Sequence, residues 1–222
     1  MRKIDLFPIS VWKTKIPAEC YDKRKLIEEV INNYKLNPNR NEWGDKSNSN
    51  LHHYYNDWEN TKFKKMDNQI SVDLHKIYRE KILECLKGTI YKPEELRVSI
   101  VNVTASGQNQ NMSSHAHLTG TERSDIVMFS AVHYLQYREY HSGTHFLNPI
   151  ENELSKIYFK RVAYKIPINL QNTIYFDDCV INTEEDDLIL FPSFLYHKFE
   201  NKNNGKFDEL RITVVINVEL IS

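Results

Sequence analysis

From residue 95 to its end, the chain is a succession of short segments rich in β-branched residues, with turns between them and no helical pattern separating any two. Parallel strands need crossover connections, usually helices, so this pattern excludes a doubly wound parallel sheet. Leu96-Arg97-Val98-Ser99-Ile100-Val101-Asn102-Val103 opens the series. Further strands are expected at 126–137, 143–147, 160–170, 173–177, 187–191, 195–199 and 210–220. Such a set folds as a mainly β jelly roll or sandwich.

Residues 1–94 read differently. Asp5 to Trp12 looks extended, and Pro8 suits an edge strand. Asp22 to Tyr34 carries Leu26, Ile27, Val30 and Ile31 at helical spacing. Ile70 to Leu86 repeats the pattern with Ile70, Leu74, Ile77, Tyr78, Ile82 and Leu86, and Gly88 is placed to stop it. Residues 37–62 are a polar loop holding Trp43, His52, His53, Tyr54, Tyr55 and Trp58. Those aromatics either pack on the β core or line a substrate mouth. One domain over 1–222 is expected, with 1–94 as helical and loop support and 95–222 as the catalytic β core.

Composition narrows the function classes. The 29 basic and 30 acidic residues leave a net charge of -1, which gives no reason to expect a nucleic-acid or membrane surface. Cys20, Cys85 and Cys179 are odd in number and far apart, so neither a disulfide framework nor a CxxC metal pair is expected. With no signal-peptide pattern in MRKIDLFPIS, the expected compartment is the cytoplasm, or the host cytoplasm if a phage encodes the protein. A homodimer is the one assembly left open.

Of the nine histidines, two are distinguished by spacing. Residues two apart in an extended segment share a face, so Ser114-His115-Ala116-His117 presents two imidazoles side by side. Neutral imidazole is a ligand suited to iron, zinc, copper and nickel. A third, His197, closes the apolar segment Asp187-Leu188-Ile189-Leu190-Phe191-Pro192-Ser193-Phe194-Leu195-Tyr196-His197. Beyond it, Glu209-Leu210-Arg211-Ile212-Thr213-Val214-Val215-Ile216-Asn217 is a strongly apolar strand with one Arg near its start. A guanidinium there is costly to bury unless it meets an anion, and its fork matches a carboxylate. That anion is either a ligand's carboxylate or a nearby acid such as Asp208 in a structural ion pair.

An HxH pair, a His 80 residues after His117 and an Arg 14 residues after that resemble the Fe(II)/2-oxoglutarate-dependent oxygenase superfamily. A closer resemblance is to a 2-oxoglutarate/Fe(II) oxygenase family of marine bacteria and phages. Its opening Leu-Phe-Pro is matched by Leu6-Phe7-Pro8, and its His-x-His by His115 and His117. Its Ser-Gly-x-x-Tyr-Leu strand is matched by Ser130 to Leu135, with Ala131 in the Gly place. Gly143 to Pro149 resembles its Gly-x-x-x-Phe-x-x-Pro turn, and Phe191 to His197 matches Phe-Pro-Ser-x-x-x-His in full. The resemblance implies a double-stranded β-helix, cupin-like, with flanking N-terminal helices. It implies Fe(II) on His115, His117 and His197, 2-oxoglutarate on Arg211, and O2 as the other co-substrate. Tyr134 matches a position that helps the Arg bind the distal carboxylate, unless it is a core aromatic. Asn102 is a further candidate on the cofactor side, as a donor behind the ligands. The implied reaction is hydroxylation of an unactivated C–H in a small-molecule or peptide substrate, with release of succinate and CO2.

The sequence departs from the superfamily at its second ligand. That position is usually a carboxylate, and here it is His117; Glu122 or Asp125, in the apparently inserted segment 118–126, is the alternative third ligand. Three neutral histidines leave Fe(II) with a formal charge of +2, which favours anionic co-ligands. Two other readings use the same fold. One is a non-catalytic binding module or phage structural protein. The other is a three-His cupin-type metalloenzyme that does not use 2-oxoglutarate, for which Arg211 would have no task.

Overall fold

Alternation within the strands decides how the sheets are buried. The computed structural model describes residues 9–36, 66–89, 92–108, 110–117, 126–149, 178–200 and 209–221, and the backbone of 52–53. The described strands are β1 Trp12–Lys15, β2 His52–His53, β3 Leu96–Ser106, β4 Asn111–His115, β5 Ile126–Gln136, β6 His145–Leu147, β7 Asp178–Val180, β8 Asp187–Pro192, β9 His197–Glu200 and β10 Arg211–Leu220. They form a six-stranded sheet in the order β1-β8-β5-β10-β3-β2 and a four-stranded sheet in the order β4-β9-β6-β7. Every pairing is antiparallel. The protein is mainly β, with two facing sheets and few helices, as the strand series implies.

Helices α1 Lys23–Leu36 and α2 Asn68–Cys85 cover the outer face of the large sheet. Leu26, Val30, Leu74, Tyr78 and Ile82 share one buried cluster with Leu188, Leu190, Ile212, Val214, Ile216 and Val218. The alternate residues of the same strands, Ile189 and Phe191 on β8 and Val132 and Tyr134 on β5, join Phe146 of the small sheet in a second cluster. Both faces of β8 are therefore buried, which is why 188–191 reads as an unbroken apolar run.

Several boundaries differ from the sequence reading. Helix α2 starts earlier because Asp67 caps it, its carboxylate accepting from Gln69 N at 2.9 Å and Ile70 N at 3.3 Å. Gly88 stands past the helix end at φ +83°, the conformation for which glycine is suited. Strands β4 and β2 lie where no strand is expected, and β1 begins where the extended N-terminal segment was expected to end. The expected strands at 160–170 and 173–177 lie outside the described residues, as do Leu6-Phe7-Pro8, Trp43, Tyr54, Tyr55 and Trp58.

One irregularity bears on the site. Along the β3–β10 ladder, Val215 pairs with Asn102 but Ile216 pairs with Ile100, leaving Val101 as an extra residue. This β-bulge shifts the phase of β3, so that Ile100, Val103 and Ala105 join the helix-side core. Val101, Asn102 and Thr104 turn to the other face, where they line a cavity.

Candidate metal centre and adjoining cavity

Pairing of β4 with β9 sets His115 directly opposite His197. His117 follows two residues on, and its backbone N–H donates to Ser193 O at 3.0 Å, in the turn that delivers His197. That turn is built from Phe-Pro-Ser: Leu195 N–H closes it on Pro192 O at 3.0 Å, and Ser193 N–H donates to Met128 O at 3.1 Å. The His115 and His117 rings stack at 5.2 Å, and His197 lies 4.4 and 5.2 Å from them. One ring nitrogen from each of the three falls within 4.8 Å of the others.

Hydrogen bonds fix which nitrogens these are. His115 Nδ1–H donates to Ser113 O at 3.0 Å, and His197 Nδ1–H donates to Leu195 O at 3.0 Å. A carbonyl accepts only, so each ring carries its proton on Nδ1 and turns a lone pair on Nε2 inward. His117 Nδ1 lies 3.1 Å from Asn217 Oδ1 and 3.0 Å from Ser130 Oγ. The Nε2 atoms of His115 and His117 are 3.3 Å apart. Inward lone pairs at this distance repel unless a cation sits between them. Burial lowers the pKa of His115 and His117, and it takes His197 down to about 3, helped by the neighbouring His115. The rings are therefore neutral at neutral pH, the form that binds a metal. This donor set suits a divalent transition metal such as iron or zinc. Glu122 and Asp125 lie outside the described residues.

The histidines open onto a cavity of about 320 Å³, also lined by Arg211, Asn102 and Thr213. Arg211 is 2% exposed. Its Nε donates to Ser142 O at 2.9 Å, and its guanidinium lies 4.3 Å from the Phe199 ring and 5.3 Å from that of Tyr134. Among the described residues no carboxylate pairs with it; Asp208 lies outside them. Burial lowers the pKa of Arg211, opposed by the phenol oxygens of Tyr134 and Tyr137. On β9, His197 and Phe199 are two residues apart, about 7 Å along the strand. The metal-competent cluster and the guanidinium thus stand one pleat apart on the same wall.

Tyr134 is fully buried, and its hydroxyl meets Thr144 Oγ1 at 2.6 Å while accepting from Thr144 N–H at 3.1 Å. It backs Arg211 and Thr144, both of which line the cavity. Asn102 lines the cavity, and its Oδ1 makes no hydrogen bond to any of the three histidines. The amide behind His117 is Asn217, which the sequence reading missed together with Ser130. Strand parity was the available signal, because 211, 213, 215 and 217 share one face of β10.

No protein-family model matches the chain, and no curated protein matches it. Solved structures do. A Pseudomonas putida prolyl-4-hydroxylase superposes with a TM-score of 0.54 at 11% identity, over 96% of this chain and 94% of that one. The viral collagen prolyl hydroxylase of Paramecium Bursaria Chlorella virus-1, in its 2OG complex, gives 0.52 at 14%, over 95% and 96%. The non-heme alpha ketoglutarate dependent carbocyclase SnoK from nogalamycin biosynthesis gives 0.55 at 13%, over 94% and 79%. At such identities the likeness is one of fold: the chain has the double-stranded β-helix architecture of these 2-oxoglutarate-dependent oxygenases.

Proposed function

We propose that the protein is a non-haem Fe(II)- and 2-oxoglutarate-dependent oxygenase that hydroxylates an unactivated C–H of a small molecule or peptide, releasing succinate and CO2. The observation that carries the proposal is the convergence of three inward Nε2 lone pairs and a buried guanidinium on one cavity. His115, His117 and His197 would hold the iron. Arg211 would hold the distal carboxylate of 2-oxoglutarate, with the Thr213 and Thr144 hydroxyls beside it. Iron, 2-oxoglutarate and O2 together supply the oxidising chemistry, which belongs to the cofactor. The protein's own residues do the positioning. The Nδ1 hydrogen bonds lock the imidazoles in their ligating tautomer. Phe199 and Tyr134 wall the buried guanidinium. The sequence motifs support grouping the chain with the oxygenases of marine bacteria and phages.

The test is anaerobic. Iron-loaded protein should develop a visible charge-transfer absorption on addition of 2-oxoglutarate. His115→Ala and His197→Ala should each lose iron retention. Arg211→Ala should keep iron but bind 2-oxoglutarate at least about tenfold more weakly, since hydrogen bonds to charged groups contribute about 1.5–3 kcal/mol each. Arg211→Lys keeps the charge and loses the fork, and should fall between. Equal 2-oxoglutarate affinity in wild type and Arg211→Ala would sink the proposal.

A further inference from the structure

The charges that converge on the cavity do not balance. A ligating imidazole is neutral, so His115, His117 and His197 leave a divalent metal its full charge. Arg211, buried on the same wall, adds a further positive charge. The two carboxylates of 2-oxoglutarate offset all but one of these. With a carboxylate in place of His117, the arrangement usual in the superfamily, the same assembly would be neutral.

The protein supplies no counter-charge of its own here. Among the described residues, no acidic side chain lines the cavity. The acids around the β5–β6 turn that holds Arg211 are engaged elsewhere. Glu185 meets Lys23 at 2.7 Å and also Arg138, and Glu209 meets Arg138 at 2.7 Å. A surplus charge in a largely apolar cavity is poorly screened and costs far more than one at the surface. The ligand that enters next decides its fate. A neutral group leaves the surplus in place, a cation doubles it and a monoanion removes it. Met112, Ala116, Val132 and Val215 line the same cavity and suit an aliphatic body.

Resting on the proposed function, we infer that the part of the substrate that enters the cavity is a monoanion on an aliphatic body, selected by the positive charge that His117 leaves uncompensated. His117 is then a determinant of substrate charge as well as a ligand.

Zinc-loaded protein saturated with 13C-labelled 2-oxoglutarate is inert and diamagnetic. Isobutyrate, isobutyramide and isopropylammonium share one aliphatic body and differ in charge. Their binding is followed through the backbone 15N–1H signals of Val101, Val132 and Val215 on the cavity wall. Isobutyrate should bind saturably and at least about tenfold more tightly than isobutyramide. Isopropylammonium should leave the signals in place, and the labelled 2-oxoglutarate should stay bound throughout. In His117→Asp, which restores the missing negative charge, isobutyrate should fall to the level of isobutyramide. His117→Glu repeats this comparison should His117→Asp not retain zinc. Equal binding of the acid and the amide by wild type, as a carboxylate ligand from Glu122 or Asp125 would produce, overturns the inference. So does an undiminished preference for the acid in the His117 variant that retains zinc, or displacement of 2-oxoglutarate by isobutyrate. A preference that vanishes in chloride-containing buffer assigns the charge to a mobile counter-ion and overturns it too. If 2-oxoglutarate itself does not bind the metal-loaded protein, the proposed function has failed before any isobutyrate is added.

Discussion

His117 is held from behind by Asn217 Oδ1 at 3.1 Å and Ser130 Oγ at 3.0 Å, and Ser130 is itself fixed by Ser193 Oγ at 3.2 Å. Such partners orient a ligating imidazole and raise its basicity, and removing one commonly costs about 10–100-fold in metal affinity. Asn217→Ala should therefore weaken zinc or iron binding within that range without touching a ligand, while Asn217→Asp should bind at least as tightly as wild type. A chelator-competition titration measures both, and wild-type affinity in Asn217→Ala would show that the contact holds nothing. His117→Asp restores a two-His, one-carboxylate set and should retain metal. At this scale the sequence was partly legible. HxH spacing and the Phe-Pro-Ser-x-x-x-His segment mark the three histidines, because a strand and a turn fix side-chain direction locally. Ser142 was not legible, since it meets Arg211 through a backbone carbonyl, and a carbonyl carries no residue signal.

At the scale of elements, both helices were visible in their apolar spacing, but the start of α2 was set by a polar side chain. Asp67 caps Gln69 and Ile70 and also meets Lys25 Nζ of α1 at 2.6 Å. That contact with Lys25 is the main reason its carboxyl pKa is lowered. The two roles separate by mutation. Asp67→Asn keeps a capping oxygen and loses only a partly exposed ion pair, so it should destabilise little. Asp67→Ala loses both and should be the less stable of the two. Urea unfolding of the two variants checks the order; equal stabilities would mean that the cap contributes nothing measurable. The β3 bulge was illegible for a different reason. Leu96 to Val103 reads as one uniform β-branched strand, and the slip at Val101 appears only when β10 is laid beside it. The strand β4, Asn111–His115, lacks β-branched residues and exists through its pairing with β9.

For the whole molecule, the mainly β class followed from the absence of helical patterns after residue 95, and Arg211 stood out as a charge in an apolar strand. What ties the ends of the site together is a turn. Residues 137–144 connect β5 to β6, and His141 is buried in that turn with both ring nitrogens used in the neutral state. Its Nδ1 accepts from Arg138 N–H at 2.9 Å, and its Nε2–H donates to Glu209 O at 3.0 Å, just ahead of β10. The next residue, Ser142, supplies the carbonyl that holds Arg211. A second proton on His141 would have to displace the Arg138 N–H bond and enter a buried place near Arg211 and Arg138. Burial is the leading cause that depresses its pKa to about 4, with those two cations adding to it. The unfolded imidazole titrates near 6.5, so between about pH 6.5 and pH 4 the unfolded chain binds more protons than the folded one. Stability therefore rises with pH across this window, is fully present above it, and is lost as pH falls through it. The lowered pKa values of His115, His117 and His133 act in the same direction, while the lowered Glu185 and Asp186 add their loss below the ordinary carboxylate range. Urea unfolding of metal-free protein from pH 7 to 4.5 should show this decline. His141→Gln, which keeps a donor and an acceptor but cannot titrate, should be less stable at pH 7, and its slope should be shallower by up to about 1.4 kcal/mol per pH unit, the value of one differential proton. Parallel slopes in the two proteins would show that His141 is not among the groups responsible. Because the same turn presents Ser142 O to Arg211, wild-type affinity for 2-oxoglutarate should hold through most of this window and weaken only as pH approaches about 4, where folded His141 itself takes a proton, and in His141→Gln that weakening should be smaller.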